Sequence, residues 1–343
     1  MAGLKVAFDV ACLTQTRAGT ARLASGLVDA LHARPDIELI ELGGGERRER
    51  GSLGQKRDAL RQDLAWYGRK LGREARASDA QVLHCPSFRG PLRHPGIPTV
   101  VTVHDLAVLR EPSWFPAWSR SYGRALMPRA VRGADRVVCV SRATARDVVG
   151  LLDVPYRNVR VIPNAIERVF SQPPGPPPLE PPYLLCVGTP EPRKNLPALL
   201  DAFGQVRRAG RRVRLALVGA DGWGDVRVGA AEGVVTFGRI DDAELRDLYA
   251  HSEALVLPSL WEGFGLPVGE ALAAGTRVVC SDLPALREVA GEDATYFDPG
   301  DPAAIAEGIL HALTRPRPTP HRGISWDDVA GSVVALWREL AGG

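Results

Sequence analysis

The sequence predicts an α/β protein with two domains, each built around a doubly wound parallel sheet. Short apolar runs typical of buried parallel strands alternate with amphipathic helical segments from residue 4 onward. The alternation stops in a proline-rich stretch, residues 171–182, which can form neither a helix nor the interior of a sheet, and then starts again. The length of 343 residues is too great for one ordinary domain and sufficient for two.

The composition is that of a globular protein without a membrane span. Hydrophobic residues make up 45% and charged residues 24% of the chain, and the net charge of +3 is too small to indicate a nucleic-acid partner. No apolar run approaches the ~20 residues that a membrane helix needs, and the first residues lack the pattern of a signal peptide. The five cysteines are scattered without a Cys-x-x-Cys pair, which is typical of reduced, buried cysteines. We therefore expect a cytoplasmic protein, and the abundance of Ala, Arg, Gly and Pro suggests a bacterial genome rich in G and C.

The first half is predicted to contain six strands, at residues 4–10, 37–42, 81–84, 99–103, 135–141 and 160–166. Helices are predicted over residues 21–32 and 120–132 and from Ser141 onward. The opening order of strand, loop, helix and strand is typical of doubly wound folds. Its loop contains Gly19, which either lets the backbone approach a ligand closely or is an ordinary loop glycine.

Residues 46–74 differ from the rest of the first half in charge. They hold nine Lys or Arg against five acidic residues, with leucines and aromatic residues between them. One interpretation is a basic amphipathic helix that contacts an anionic membrane surface or a lipid phosphate. The interpretation that we favour is a long surface helix whose apolar stripe packs on the domain core.

Candidate ligand contacts follow the fourth predicted strand. His104 and Asp105 come directly after it, at the carboxyl edge where open α/β sheets bind ligands. The alternative for His104 is a polar residue that caps the following segment. Trp114 and Trp118 come next, and their rings either face a ligand or pack beneath a loop.

The second half repeats the alternation after the proline-rich stretch. Strands are predicted at residues 183–188, 213–219, 234–238, 254–257 and 277–280, and helices at 195–208 and 243–250. The predicted boundaries are a first domain over 1–170, a linker over 171–182, a second domain over 183–324 and a terminal helix over 325–343.

Residues 258–275 form the most informative stretch, which we interpret as a glycine-rich turn that leads into a short helix. Glu262 lies in the turn after a strand, and Glu270 lies about one turn into the helix. Two glycines and Pro267 shape the turn between them, and the N–H groups of a helix N-terminus favour an anion. Two carboxylates beside a phosphate-sized anion site suggest a ligand with an anionic centre and hydroxyls at both ends, such as a nucleoside diphosphate sugar.

The string Glu-Gly-Phe-Gly-Leu-Pro-x-x-Glu-Ala-x-Ala-x-Gly, which starts at Glu262, resembles the donor-binding signature of retaining GT-B glycosyltransferases of family 4 (group 1). The resemblance implies two Rossmann-like domains that face each other across a cleft, with the donor chiefly on the second and the acceptor on the first. It also implies that the terminal helix, 325–343, crosses back to the first domain, so that its removal would destabilise both halves.

The resemblance also implies roles for individual residues. Glu262 should bind the hydroxyls of the donor sugar, Glu270 the ribose hydroxyls, and His104 should face the transferred sugar. The other implied donor contacts are Gly19, Thr189, Gly238, Arg239, Ile240, Gly263, Phe264, Gly265, Leu266 and Pro267. On the acceptor side we expect Asp105, Trp114 and Trp118.

The loop 188–195 carries two adjacent cations, Arg193 and Lys194, which can neutralise a diphosphate leaving group. Lys194 matches the lysine of the family, whereas Thr189 stands where the family commonly has an arginine. Arg193 could supply the missing charge.

The expected activity is a metal-independent, retaining transfer of a sugar from a nucleoside diphosphate sugar to a glycan, a lipid-linked saccharide or a secondary metabolite, with no cofactor. The chain has no Asp-x-Asp metal motif, and its cations and helix-end amides can stabilise the leaving group instead. One alternative is a nucleotide-sugar epimerase on the same fold, which would form product without an acceptor. Another is a non-catalytic subunit of a glycan assembly complex, with peripheral membrane contact through 46–74.

Overall fold

The computed structural model describes residues 3–15, 19–44, 61–220, 222 and 232–342. The predicted α/β class is confirmed, because two parallel six-stranded sheets are each flanked by helices. The chain divides into two compact units. The first comprises residues 1–110, 117–165 and 326–343, and the second comprises residues 111–116 and 166–325.

The sheet of the first unit has the order β2-β1-β3-β4-β5-β6. Its strands are β1 (Leu4–Asp9), β2 (Ile37–Leu42), β3 (Val82–Cys85), β4 (Thr99–Val103), β5 (Arg136–Cys139) and β6 (Val159–Val161). Its helices include Ala11–Gln15, Gly19–His32, Leu71–Ala77, Ala107–Arg110, Ala117–Arg132, Arg142–Leu152 and Trp326–Ala341. Because all these strands are parallel, the residues that follow β1, β3 and β4 lie along one edge of the sheet.

The terminal helix Trp326–Ala341 is part of the core of the first unit. Trp337 is fully buried, and its indole Nε1–H donates to His84 Nδ1 at 3.2 Å. The Nε2 atom of His84 lies 2.9 Å from the Thr102 hydroxyl, so the imidazole joins the terminal helix to two neighbouring strands. Burial lowers the pKa of His84 to about 3, and the ring is therefore neutral at physiological pH.

Trp337→Ala is expected to lower the free energy of unfolding by about 3–5 kcal/mol, because it removes a large buried ring and leaves a cavity. The measurement is chemical denaturation of the purified protein. Tyr156→Ala is the matched control, because Tyr156 is 73% exposed and should change stability by less than about 0.5 kcal/mol. Equal effects of the two substitutions would contradict this role of the terminal helix.

The described part of the basic segment is helical over residues 61–77, with a π-helical turn at Trp66–Lys70. Tyr67, Leu71 and Ala75 are buried at four-residue spacing, as the surface-helix interpretation requires. Residues 46–60 of the segment lie outside the described residues.

The sheet of the second unit has the order β12-β11-β10-β7-β8-β9. Its strands are β7 (Tyr183–Val187), β8 (Arg214–Val218), β9 (Val234–Gly238), β10 (Ala254–Leu257), β11 (Val278–Ser281) and β12 (Ala294–Phe297). Its helices include Leu196–Arg208, Asp242–His251, Leu266–Ala273, Pro284–Ala290 and Pro302–Ala312.

The proline-rich stretch contains no helix or strand over residues 172–182 and belongs to the second unit. It is fixed to the helix Asp242–His251, because Gly175 N donates to Asp247 Oδ1 at 2.8 Å and its carbonyl lies 2.9 Å from His251 Nε2. All five cysteines are buried and free of disulfides, which confirms that prediction. Among the described helices, none combines the length and the apolar composition that crossing a membrane requires.

Candidate active site

The candidate site of the second unit is formed where β7 and β10 end side by side. These strands pair in parallel, so the loops that follow them lie at the same edge of the sheet. The loop after β7 carries Arg193 and Lys194, and the loop after β10 carries Glu262. Leu260 N donates to the Arg193 carbonyl at 2.7 Å, which ties the two loops together.

Glu262 is held from several sides. Its side chain is 9% exposed, and its Oε1 accepts from Lys194 Nζ at 2.6 Å and from the Ser259 hydroxyl at 2.7 Å. Its Oε2 accepts from Arg193 Nη1 at 3.3 Å. Burial raises the pKa of Glu262, but the two cations and the hydrogen bonds lower it more, to about 2. The carboxylate is therefore ionised and can only accept hydrogen bonds.

Arg193 is also bound by a second carboxylate. Glu191, whose side chain is 4% exposed, lies 2.5 Å from Arg193 Nε, and the Trp261 carbonyl accepts from Arg193 Nη1 at 3.1 Å. Neither Glu191 nor Ser259 was predicted from the sequence. The position of Glu191, two residues before the predicted cation Arg193, is the only signal that the sequence offers for it.

The turn after Glu262 has the geometry that its glycines predict. Gly265 has φ 101°, and a Cβ atom there would lie 2.4 Å from Leu286 Cδ2, so both the backbone and the space require glycine. The helix Leu266–Ala273 follows with Pro267 in its first turn and without a side-chain cap at its N-terminus.

Glu270 is in the predicted helix but has a different environment from Glu262. It is 2% exposed, and its Oε2 accepts from the Tyr249 hydroxyl at 2.9 Å. The two carboxylates thus differ in their partners, Glu262 being held by cations and Glu270 by a phenol.

Other predicted donor contacts lie at the ends of β7 and β9. Thr189 follows Gly188, whose φ is 152°, and a Cβ atom at position 188 would lie 3.2 Å from Lys194 Cε, so the lysine stem passes over this glycine. Gly238 ends the edge strand β9 in the left-handed region with φ 60°, and Arg239 and Ile240 follow it.

In the first unit, His104 follows β4 as predicted. Its Nε2 lies 2.9 Å from the Pro86 carbonyl, which can only accept a hydrogen bond, so the proton is on Nε2. Its Nδ1 is buried and has no hydrogen-bond partner in the structure. Burial lowers the pKa of His104 in spite of the Pro86 and Asp105 contacts, which favours the neutral ring. Asp105 Oδ1 accepts from Ala107 N at 3.0 Å and so caps the next helix.

A buried acid at the end of β1 was not predicted. Asp9 is completely buried, and its Oδ1 accepts from Trp66 Nε1 at 3.1 Å and from Ala11 N at 3.2 Å. Burial raises the pKa of Asp9 to about 6, even though these bonds, the nearby Tyr67 hydroxyl and the Arg89 charge lower it. Its position as the last residue of the first strand is the signal that sequence analysis could have used.

The remaining predicted residues, Gly19, Trp114 and Trp118, lie on three different elements. Gly19 is the first residue of the helix Gly19–His32. Trp114 lies in a short 3₁₀ helix that belongs to the second unit, whereas Trp118 is 55% exposed on the helix Ala117–Arg132 of the first unit. Of the predicted site residues, the structure brings together Arg193, Lys194 and Glu262.

Comparison with known protein families gives one match for each half of the chain. The model described as "Glycosyl transferases group 1" matches residues 181–315. The model described as "Glycosyltransferase Family 4" matches residues 17–170.

Several curated proteins are similar in sequence. The O-antigen chain mannosyltransferase B of Escherichia coli is 32% identical over 250 residues, which span 68% of this chain and 65% of that protein. The serotype-specific mannosyltransferase WbdA of Escherichia coli is 29% identical over 274 residues, which span 68% of this chain and 32% of that protein. The chain thus covers less than two thirds of the length of these relatives.

Solved structures with low sequence identity share the fold over nearly the whole chain. Sucrose-phosphate synthase from Thermosynechococcus elongatus has a TM-score of 0.68 and 20% identity, covering 98% of this chain and 99% of its own. The catalytic domain of starch synthase IV from Arabidopsis thaliana, bound to ADP and acarbose, has a TM-score of 0.73 and 13% identity, with both chains covered completely (100%). Anabaena HepE in complex with UDP-glucose has a TM-score of 0.65 and 17% identity, covering 98% of this chain and 95% of its own.

Proposed function

Because the chain belongs to the group 1 glycosyltransferases of family 4 and has their GT-B fold, we propose that it is a hexosyltransferase that uses a nucleoside diphosphate sugar. The observation that carries the proposal is the ionised Glu262, held by Lys194 and Arg193 where β7 and β10 end. An acceptor-only carboxylate binds sugar hydroxyls, which donate, and an adjacent cation binds phosphate.

The diphosphate would lie beside Lys194 and the N-terminus of the helix Leu266–Ala273. That terminus has no side-chain cap, so its N–H groups suit an anion. A cation and helix-end amides together stabilise the charge that develops on a departing diphosphate, which is the chemistry that a metal-independent transfer requires. No cofactor takes part in this proposal.

The proposed stereochemistry is retention of the anomeric configuration. Glu262 is fixed by three side chains, and its pKa of about 2 makes it a weak base. These contacts support a carboxylate that orients the sugar through its hydroxyls, while attack and departure occur on one face of the sugar. Glu270 would bind the ribose.

Mannose is the proposed sugar, because the relatives named above are mannosyltransferases. The proposed acceptor is a bacterial surface glycan or its lipid-linked precursor, in keeping with the O-antigen chain named for the first relative.

The experiment that tests the function is a panel of UDP-, GDP- and dTDP-sugars, with slow hydrolysis of each donor followed by release of the nucleoside diphosphate. We expect hydrolysis of one mannose donor above all others. Release of no nucleoside diphosphate from any donor would contradict the proposed function. Conversion of the donor sugar to its epimer without an acceptor would favour the epimerase instead.

We also propose a peripheral membrane contact on the first unit. Arg69, Lys70 and Arg73 are exposed on the helical segment 61–77, where Leu64 is 41% exposed. Trp118 is exposed on the helix Ala117–Arg132, which contains four arginines and no acidic residue. Exposed cations beside exposed apolar side chains suit an anionic bilayer surface.

The protein is expected to sediment with vesicles that contain phosphatidylglycerol and not with vesicles of phosphatidylcholine alone. The double change of Lys70→Glu and Arg73→Glu should abolish sedimentation, because it reverses the local charge, and added salt should weaken binding by the wild-type protein. Lys5→Glu is a control at an exposed site on β1. Equal sedimentation with both kinds of vesicle would contradict the membrane contact.

A further inference from the structure

Glu191 is a buried carboxylate that the proposed function does not use. It precedes the 3₁₀ turn Pro192–Lys194, and its side chain is 4% exposed. A buried carboxylate is costly unless it is paired, and Glu191 is paired with Arg193 Nε at 2.5 Å.

Arg193 bridges two carboxylates. Besides its contact with Glu191, its Nη1 donates to Glu262 Oε2 at 3.3 Å and to the Trp261 carbonyl at 3.1 Å. The five N–H donors of a guanidinium lie in one rigid plane, so contacts at Nε and Nη1 fix the orientation of the whole group. With a carboxylate on each side, the charge of Arg193 is already compensated.

Lys194 differs from Arg193 in how it is held. Its Nζ donates to Glu262 Oε1 at 2.6 Å, and an ammonium group has three donors on a flexible stem. Lys194 can therefore turn to a phosphate oxygen with its other donors, whereas moving the guanidinium of Arg193 would break its contacts with two carboxylates.

The two cations bind different oxygens of Glu262, Lys194 binding Oε1 and Arg193 binding Oε2. When a diphosphate draws Lys194 away, Arg193 and the Ser259 hydroxyl still hold the buried carboxylate in place. Without Arg193, the same movement would leave Glu262 without a cation, which raises its pKa and loosens its orientation.

We propose that Glu191 is a positioning residue that fixes Arg193 on Glu262, and that Lys194 alone of the two adjacent cations binds the donor diphosphate. This inference rests on the proposed function. The sequence predicted that both cations neutralise the diphosphate, whereas here Lys194 contacts the diphosphate and Arg193 holds Glu262. It explains how Thr189 can replace an arginine without Arg193 taking over the phosphate contact.

The test is a double-mutant cycle of Glu191→Gln and Arg193→Met, with Lys194→Met for comparison. UDP and GDP affinities are measured by calorimetry, and kcat is measured as a function of pH with the active donor. We expect each single change at 191 or 193 to lower kcat about 10-fold and the double variant to match Arg193→Met, because Glu191 acts only through Arg193. We also expect the acid limb of the kcat profile to move to higher pH in Glu191→Gln and Arg193→Met, because Glu262 then lacks the fixed cation that remains when Lys194 turns to the diphosphate.

The effect of each substitution on nucleotide affinity distinguishes the role of Arg193 from that of Lys194. Glu191→Gln and Arg193→Met should change it by about twofold or less, and Lys194→Met should weaken it at least about 10-fold. The proposal is overturned if Arg193→Met weakens nucleotide binding as much as Lys194→Met does. It is also overturned if the reductions in kcat caused by Glu191→Gln and Arg193→Met add in the double variant, or if the acid limb of their kcat profiles does not move. Asp247→Asn, which alters another partly buried ion pair of the second unit, controls for loss of stability alone and should leave the acid limb in place.

If the wild-type protein binds neither UDP nor GDP, dTDP is measured as well, and binding of none of the three would contradict the proposed function itself. In that case the same cycle is measured on the free energy of unfolding, where additive effects of Glu191→Gln and Arg193→Met would show that the two side chains do not act together.

Discussion

Glu262→Gln is expected to lower kcat for sugar transfer about 100- to 1000-fold, the range found when a preorganised electrostatic contact is removed from an active site. Glutamine keeps the shape of the side chain but cannot be a pure acceptor, and its amide N–H₂ would face either Lys194 or Arg193. The donor sugar then loses an oriented acceptor for its hydroxyls. The measurement is steady-state transfer or donor hydrolysis at saturating donor.

The control for Glu262→Gln is Glu307→Gln, which alters an exposed glutamate on the helix Pro302–Ala312 of the same unit. It should leave kcat unchanged. A Glu262→Gln variant that folds and retains wild-type kcat would show that the carboxylate does not contact the reacting sugar.

The same substitution should also change how stability depends on pH. The pKa of Glu262 falls from the ordinary value of 4.5 to about 2 on folding, so its ionised form stabilises the folded state above pH 4.5. That contribution is lost as the pH falls from about 4.5 to about 2, and it should be absent from Glu262→Gln. Acid titration of the free energy of unfolding of both proteins measures the difference.

The sequence predicted the architecture of this site better than its internal contacts. The motif around Glu262 and the loop of Lys194 are 68 residues apart in the chain, yet both follow apolar strands, and parallel strands end at a common edge. The strand pattern is therefore sufficient to bring the two loops to one edge of the sheet. The bond between Glu191 and Arg193 depends on the path of a 3₁₀ turn, for which no periodic pattern exists.

A second limit of sequence analysis concerns the first unit. Asp9 ends β1, but nothing in its neighbours indicates that Trp66, 57 residues later, hydrogen bonds to its carboxylate. Trp114 and Trp118 were assigned to the acceptor side because aromatic faces suit sugar rings, and nothing in the sequence between them indicates that they belong to different units.

Lys194→Met is expected to weaken nucleoside diphosphate binding at least about 10-fold and to lower kcat about 100-fold, because the charge on the leaving group grows in the transition state. Methionine retains most of the apolar stem that passes over Gly188 and removes only the ammonium group. Since the side chain of Lys194 is 11% exposed and paired with Glu262, the variant also leaves a buried carboxylate with Arg193 as its remaining cation.

Calorimetry with UDP and GDP measures the loss of nucleotide affinity, and steady-state kinetics measures the loss of kcat. The control is Lys5→Met, which removes a lysine on β1 whose side chain is 42% exposed. If Lys194→Met bound nucleotide as tightly as the wild-type protein, the diphosphate would lie elsewhere, and the site between the ends of β7 and β10 would not be the donor site.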